Sequence, residues 1–240
     1  MKSLSLLSIG AALWATTLVI PVSPSPAVAL ESGGAIVGHV RFLVEPPKPE
    51  RVRVERDNDT CGLRKFSQEF IVSEENKGLQ NVVLSVVDAP MAEAPADAEN
   101  PILKQVGCDY VPRVQTAVVG QTLEILNGDP LLHNIHAYDE DRKTLFNWAQ
   151  PIQNLKNKKK LDQEGVMSVQ CDVHRWMQAY VVVSPHPYTA VTGEDGSFRI
   201  EGMPPGTYKL RAWHEGLGEL DKDVTVTAGG EVTVNFDVGK

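Results

Sequence analysis

Short runs of β-branched and aromatic residues, separated by turn residues, restrict this chain to an all-β fold. Several of these runs alternate between apolar and polar residues, which is typical of half-buried strands. No segment carries a sustained apolar period of 3.6 residues, the pattern of an amphipathic helix. Short strands with frequent turns predict β-sandwiches. The runs lie at residues 35–43, 80–87, 113–119, 121–126, 166–171, 179–184, 197–201 and 207–214.

The first 29 residues have the pattern of an export signal. Lys2 gives a positive start, residues 4–20 are mostly apolar, and Ala27-Val-Ala29 fits a cleavage site of small residues. We therefore expect residues 1–29 to be a signal peptide and the mature protein to be periplasmic or secreted. The alternative is a membrane anchor, but the apolar run is short and interrupted for a bilayer span. We expect no membrane span after cleavage.

The chain is acidic, which limits its partners. Its formal net charge is −8, and loss of Lys2 with the signal peptide moves the charge to −9. An acidic protein is a poor nucleic-acid binder, so we expect no nucleic-acid partner. The negative electrostatic field of the chain favours a cationic partner, such as a basic redox protein.

Three cysteines leave one thiol unpaired in an oxidising compartment. Cys171 has metal-binding residue types beside it, whereas Cys61 and Cys108 do not. We therefore predict a Cys61–Cys108 disulfide, which export favours, and a free Cys171 that binds metal as a thiolate. The alternative is that Cys61 and Cys108 are buried free thiols.

Cysteine, histidine and methionine follow one another at C-x2-H-x2-M spacing, as Cys171, His174 and Met177. Two-residue spacers let one tight loop at a strand end present all three side chains to a single ion. The upstream segment 129–136 adds His133 and His136. Two histidines, one cysteine and a weakly bound methionine are the donors of an electron-transfer copper centre.

Other metal sites fit this donor set less well. Zinc accepts two histidines and a cysteine but rarely uses methionine, whereas soft sulfur donors favour copper over hard cations. A dinuclear copper site needs a second cysteine close to Cys171, and an oxygen-reducing copper cluster needs additional paired histidines; the sequence contains neither. We therefore expect one copper ion and no enzymatic activity.

These motifs resemble the cupredoxins, or blue copper proteins, over residues 106–184. The segments 118–123 and 127–129 are similar to the strands that lead to the first copper histidine, and 165–183 carries the short ligand loop. The resemblance implies a Greek-key cupredoxin β-sandwich at 103–184 in which the ligands come from two loops. The implied metal ligands are His133, Cys171, His174 and Met177.

The resemblance also assigns roles around the ligands. Asn134 is expected to hydrogen-bond beside the site and lock the two ligand loops together. His136 is expected to support the site without binding the metal. The ring edge of His174 is expected to be exposed and to serve as the port for electrons.

A second resemblance lies at the C-terminal end. Residues 188–238 place turns at Asp195-Gly196 and Pro204-Pro-Gly206 between alternating strands, which is similar to carboxypeptidase regulatory-like (transthyretin-like) domains. This implies a smaller β-sandwich at 185–240 without catalytic residues. Such domains begin with a glycine- and valine-rich strand, and residues 34–42 are similar to it. We hypothesise that this strand completes the C-terminal sandwich, with the copper domain inserted between.

Three further segments are interpreted from composition and local pattern. Residues 30–102 hold the N-terminal strands and end in an acidic, proline-containing surface loop. The basic run 156–160 is interpreted as a solvated hairpin loop, with a docking patch as the alternative. Gly229-Gly230 lies between two alternating runs and predicts a tight hairpin.

The leading hypothesis is an exported electron carrier in which one copper ion cycles between Cu(II) and Cu(I). Its redox partners would be a cytochrome or dehydrogenase as the donor, and an acceptor. One alternative is a protein that handles copper through the same ligands. Another is a non-catalytic adhesion or ligand-binding module in which the cysteine motif is only structural.

Overall fold

The computed structural model describes residues 33–239, which form two β-sandwiches. The predicted signal peptide lies outside the described residues. Among these residues, no helix has the length and apolar character to cross a membrane. The described elements are β1 (Gly34–Phe42), β2 (Arg51–Arg53), α1 (Asn58–Cys61), β3 (Arg64–Phe66), β4 (Val83–Val86), β5 (Ile102–Val106), β6 (Asp109–Val111), β7 (Val114–Val118), β8 (Thr122–Asn127), β9 (His133–Tyr138), β10 (Thr144–Gln150), β11 (Lys156–Lys160), β12 (Gly165–Gln170), β13 (Gln178–Ser184), β14 (Thr189–Val191), β15 (Ser197–Met203), β16 (Gly206–His214), β17 (Gly218–Val226), β18 (Glu231–Thr233) and β19 (Phe236–Val238). The all-β prediction is confirmed.

The first sandwich contains the cysteine and histidine motifs. Its five-stranded sheet has the order β10-β9-β12-β13-β7, and its four-stranded sheet the order β11-β8-β5-β6. Leu123 and Ile125 of β8 are buried in the core, while Thr122 and Glu124 alternate with them. Because β9 and β12 are antiparallel, the start of β9 and the end of β12 lie at the same end of the sheet.

The second sandwich is built from strands at both ends of the described chain. One sheet has the order β15-β1-β18, with β19 also paired to β1, and the other has the order β14-β4-β16-β17. The pairing of β1 with β15, β18 and β19 supports the hypothesis that the first strand completes the C-terminal sandwich. At Gly38, a β-carbon would lie 1.8 Å from the carbonyl oxygen of Val234. Only glycine fits where β1 passes from β18 to β19.

Segment 30–102 contributes to both sandwiches. Its strands β1 and β4 belong to the second sandwich, whereas Val54 and Cys61 are buried in the core of the first. The basic run forms edge strand β11 rather than the predicted loop, and both Lys156 and Lys158 pair with Glu124. The predicted Gly229-Gly230 hairpin is also wrong, because β18 pairs with β1 in the opposite sheet from β17.

A small cap, defined here as residues 51–66, lies on the first sandwich. It consists of the β2–β3 hairpin and the short helix α1 between the strands. Cys61 is joined to Cys108 by a disulfide, and the Lys65 ammonium group contacts the carbonyl oxygen of Gly107 at 2.6 Å. Val54 and Cys61 are buried in the core of the first sandwich. The cap is therefore covalently and hydrophobically attached to that sandwich.

A buried ion pair connects the two sandwiches. Arg113, just before β7, donates from Nε and Nη2 to the two carboxylate oxygens of Glu215, each at 2.6 Å. The two side chains are only 12% and 5% exposed. Beside them, the rings of Trp213 and Tyr180 meet edge to face with centroids 5.3 Å apart. The short segment after β16 therefore fastens the second sandwich to the first.

We predict that Glu215→Ala lowers the free energy of unfolding by about 3–5 kcal/mol, because it leaves the buried Arg113 guanidinium without its ion-pair partner. Urea unfolding measures the change. The matched control is Glu219→Ala, which breaks a more exposed pair with Arg211 and should cost less than about 1 kcal/mol. Equal losses for the two variants would contradict the structural role of the buried pair.

We also predict that the double variant Cys61→Ser/Cys108→Ser loses about 4 kcal/mol of stability, since a crosslink between residues 47 apart in sequence restricts the unfolded chain. Hydrogen exchange should accelerate first in the cap. An unchanged urea midpoint, with the cap protected as in the parent protein, would show that the crosslink does not stabilise this region.

Candidate metal centre

Two strand ends deliver the sequence-predicted ligands. His133 is the first residue of β9, Cys171 directly follows β12, and His174 and Met177 lie in the loop that leads to β13. The backbone N–H of Met177 donates to the carbonyl oxygen of His174 at 2.9 Å, and that of Cys171 donates to the carbonyl oxygen of Met177. These hydrogen bonds close a tight loop, as the two-residue spacing predicts.

Three donor atoms converge inside the first sandwich. Cys171 Sγ lies 3.9 Å from His133 Nδ1 and 3.8 Å from His174 Nδ1, and the two nitrogens are 3.0 Å apart. A point about 2.1 Å from all three atoms lies within this triangle, close to the metal–ligand bonds of about 2.0 Å to nitrogen and 2.3 Å to sulfur in zinc proteins. The triangle therefore fits a first-row transition-metal ion.

A carboxylate orients each imidazole by contacting its Nε2 atom, the ring nitrogen that faces away from the triangle. His133 Nε2 lies 2.8 Å from Asp129 Oδ2, and His174 Nε2 lies 3.0 Å from Asp57 Oδ2. An ionised carboxylate only accepts hydrogen bonds, so each Nε2 carries the proton. Each Nδ1 then directs a lone pair into the triangle. This tautomer is the one that binds a metal through Nδ1.

Asp129 is held in place by a turn of the neighbouring sheet. The backbone N–H groups of Gly107 and Cys108 donate to its two oxygens at 2.7 and 2.8 Å. Burial opposes ionisation of Asp129, but the hydrogen bonds from Cys108, His133 and Gly107 bring its pKa below the usual value. Asp129 is therefore a fixed negative charge behind His133.

The donor atoms are shielded from water. His133 and His174 are fully buried, and Cys171 and Met177 are 1% exposed. Burial lowers the pKa of His133, although its bond to Asp129 acts in the opposite direction. Burial also raises the pKa of the Cys171 thiol, although hydrogen bonds from backbone N–H groups to the sulfur act in the opposite direction. A neutral imidazole is ready to bind a metal, and a metal would displace the thiol proton.

Asn134 connects the two ligand loops. Its side-chain oxygen accepts from the backbone N–H of Asp172 at 2.7 Å, and its Nδ2 donates to the Asp172 carboxylate and to Asn147. His136 lies beside this network and outside the donor triangle, with hydrogen-bond contacts to Asp172, Thr144 and Tyr138. Both residues thus lie where they can support the ligand loops.

The expected exposure of the His174 ring edge is wrong. The ring is fully buried, because the cap places Asp57 against its outer nitrogen. Trp176 covers it further, with ring centroids 5.2 Å apart, and donates from Nε1 to the carbonyl oxygen of Cys108. A partner protein docked on this face meets the cap and not the imidazole.

Two supporting residues escaped the sequence reasoning. Asp129 belongs to the histidine segment, and its position four residues before His133 was the available signal. Asp57 lies 117 residues before His174 and carries no motif. The predicted disulfide was the only clue to it, because Cys61 brings the residues just before it towards Cys108.

Comparison with known protein families agrees with the C-terminal resemblance. Residues 177–239 match the family model of the carboxypeptidase regulatory-like domain. No curated protein sequence matches the chain. The match begins at Met177, within the loop before β13, so it overlaps the last strand of the first sandwich.

Solved structures similar to this chain include three copper proteins or cupredoxins. A purple cupredoxin from Nitrosopumilus maritimus is 26% identical over 35% of this chain and 100% of its own, with a TM-score of 0.32. Amicyanin from Paracoccus versutus is 19% identical over 42% of this chain and 97% of its own, with a TM-score of 0.32. A copper-containing nitrite reductase from Thermus scotoductus is 20% identical over 40% of this chain and 24% of its own, with a TM-score of 0.31. The chain thus carries a carboxypeptidase regulatory-like match at its C-terminal end, and its neighbours among solved structures are cupredoxins.

Proposed function

We propose that this protein is an exported mononuclear copper protein that carries single electrons between redox partners. The observation that supports the proposal is the buried triangle of Cys171 Sγ, His133 Nδ1 and His174 Nδ1, with sides of 3.0 to 3.9 Å. Bound copper would supply one-electron chemistry by alternating between Cu(II) and Cu(I). The residues that would hold the ion are His133, Cys171 and His174, with Met177 as a weaker fourth ligand.

The protein's own contribution is to hold the donors still. Hydrogen bonds fix both rings in the Nδ1-binding tautomer, and the Asn134–Asp172 contacts fix the two loops relative to each other. Donors that keep their positions in both oxidation states make one-electron transfer fast, since little has to rearrange. Water exclusion also removes a competing ligand.

The closed site favours a carrier over a copper-handling protein. An exchange site needs a route by which the ion enters and leaves, whereas His133 and His174 are completely buried and the cap is crosslinked over them. A carrier needs only electrons to cross that layer. The partner is proposed to be a cytochrome or dehydrogenase with a basic docking face, complementary to the acidic chain.

We predict that the protein expressed from residue 30 and loaded with Cu(II) shows an intense visible band from thiolate-to-copper charge transfer. Cys171→Ser should abolish the band, because no other free thiol lies among the described residues. His136→Gln is the matched control and should retain the band, since His136 lies outside the triangle. Copper binding without such a band would contradict coordination by the Cys171 thiolate, and no metal uptake would favour the structural module. Rapid exchange of the bound copper would favour the copper-handling alternative, because a carrier holds the ion tightly in both oxidation states.

A separate prediction concerns Met177. Met177→Leu should keep the visible band and shift the reduction potential, because a weakly bound thioether mainly tunes the potential of a copper centre. Spectroelectrochemical titration measures both quantities on one sample. Complete loss of copper from this variant would contradict the assignment of Met177 as the weaker ligand.

A further inference from the structure

We infer that Asp57 is a positioning residue that holds the His174 imidazole at the metal site and, together with Asp129, favours the more highly charged oxidation state of the bound ion. The inference rests on the proposed function for the identity of that ion. The inference goes beyond the proposed function because it assigns a role at the metal site to a residue of the cap. The cap lies outside residues 106–184, which resemble the cupredoxins.

The backbone around Asp57 is built to present its carboxylate. Asp57 adopts a left-handed conformation with φ 56° and ψ 32°, which aspartate tolerates better than most residues. Its carbonyl oxygen accepts from the backbone N–H groups of Thr60 and Cys61 at 3.0 and 2.8 Å. Cys61 is in turn tied to Cys108 by the disulfide. The position of Asp57 is therefore set by a hydrogen-bonded turn whose far end is covalently anchored.

Both histidines then share one arrangement, a carboxylate on the nitrogen that faces away from the metal site. A carboxylate in this position fixes the tautomer, orients the ring and raises the basicity of the ligand nitrogen. Two such groups from unrelated parts of the chain, Asp129 beside β9 and Asp57 in the cap, flank the same triangle. Because both ligand histidines have a carboxylate on Nε2, the contact of Asp57 with His174 is consistent with a positioning role and not with an incidental surface contact.

The charge of Asp57 is not cancelled locally. Within residues 33–239 Asp57 forms no ion pair with a lysine or arginine, and its contact with the neutral His174 ring is a hydrogen bond. Cys171, once deprotonated, adds a further negative charge. Negative charge close to the ion stabilises Cu(II) relative to Cu(I). Asp129 is 6% exposed and Asp57 39%, so water screens Asp57 more and its effect should be the smaller of the two.

The decisive variant is Asp57→Asn, which keeps the shape of the side chain and removes its charge. We expect the ratio of Cu(II) to Cu(I) affinity to fall about tenfold, which corresponds to a potential about 59 mV higher for a one-electron couple. Asp59→Asn is the matched control, because it removes the same charge from the exposed α1 helix two residues away and Asp59 makes no bond to a histidine. Equal potentials for Asp57→Asn and the parent protein, or equal shifts for the two variants, would overturn the inference.

A zinc titration separates this inference from the electron-carrier proposal. Zn(II) has no redox chemistry and accepts two histidines and a cysteine. Asp57→Ala should weaken Zn(II) binding ten- to a hundredfold, and Asp57→Glu should recover most of the affinity. If zinc responds in this way while copper gives no charge-transfer band, Asp57 positions His174 and the carrier proposal fails. If the band is present and neither metal responds to Asp57 variants, the carrier proposal stands and the role of Asp57 is refuted.

Discussion

One covalent bond fixes the two chain segments that orient both imidazoles of the candidate centre. The disulfide joins Cys61 to Cys108. On one side, the backbone N–H of Cys108 holds the carboxylate that orients His133; on the other, the backbone N–H of Cys61 closes the turn that presents Asp57 to His174. The convergence of three donor atoms in a dry interior therefore depends on a crosslink that donates no ligand atom itself.

Patterns that act over a few residues predicted most of the first sandwich and the core of the site. The spacing of Cys171, His174 and Met177 predicts that they share one loop, because two-residue spacers keep the three side chains close together. The partners of β1 were predicted through the resemblance of residues 34–42 to the first strand of carboxypeptidase regulatory-like domains, and the pairing with β15, β18 and β19 supports that prediction. The basic run at 156–160 was misread because composition alone indicates exposure, and an edge strand and a loop are both exposed.

The role of Asp57 could not be predicted from local sequence patterns. Its contact with His174 spans 117 residues, and nothing in its local sequence distinguishes it from any other surface aspartate. The expected electron port failed for the same reason, because the resemblance covered residues 106–184 and the cap lies outside them. A feature taken from a family holds only if the rest of the chain leaves the surroundings of the site unchanged. Here an additional segment covers the ring edge and brings a charge to it.

The position of β1 has a consequence for how the molecule is assembled. β1 pairs with β15, β18 and β19, so its partners are synthesised more than 150 residues after it. The strands of the first sandwich, by contrast, all lie between these ends. The second sandwich cannot close before residue 238 is available, whereas the sandwich that holds the candidate centre has all of its strands by residue 184. The second sandwich therefore closes only after every strand of the first has been synthesised.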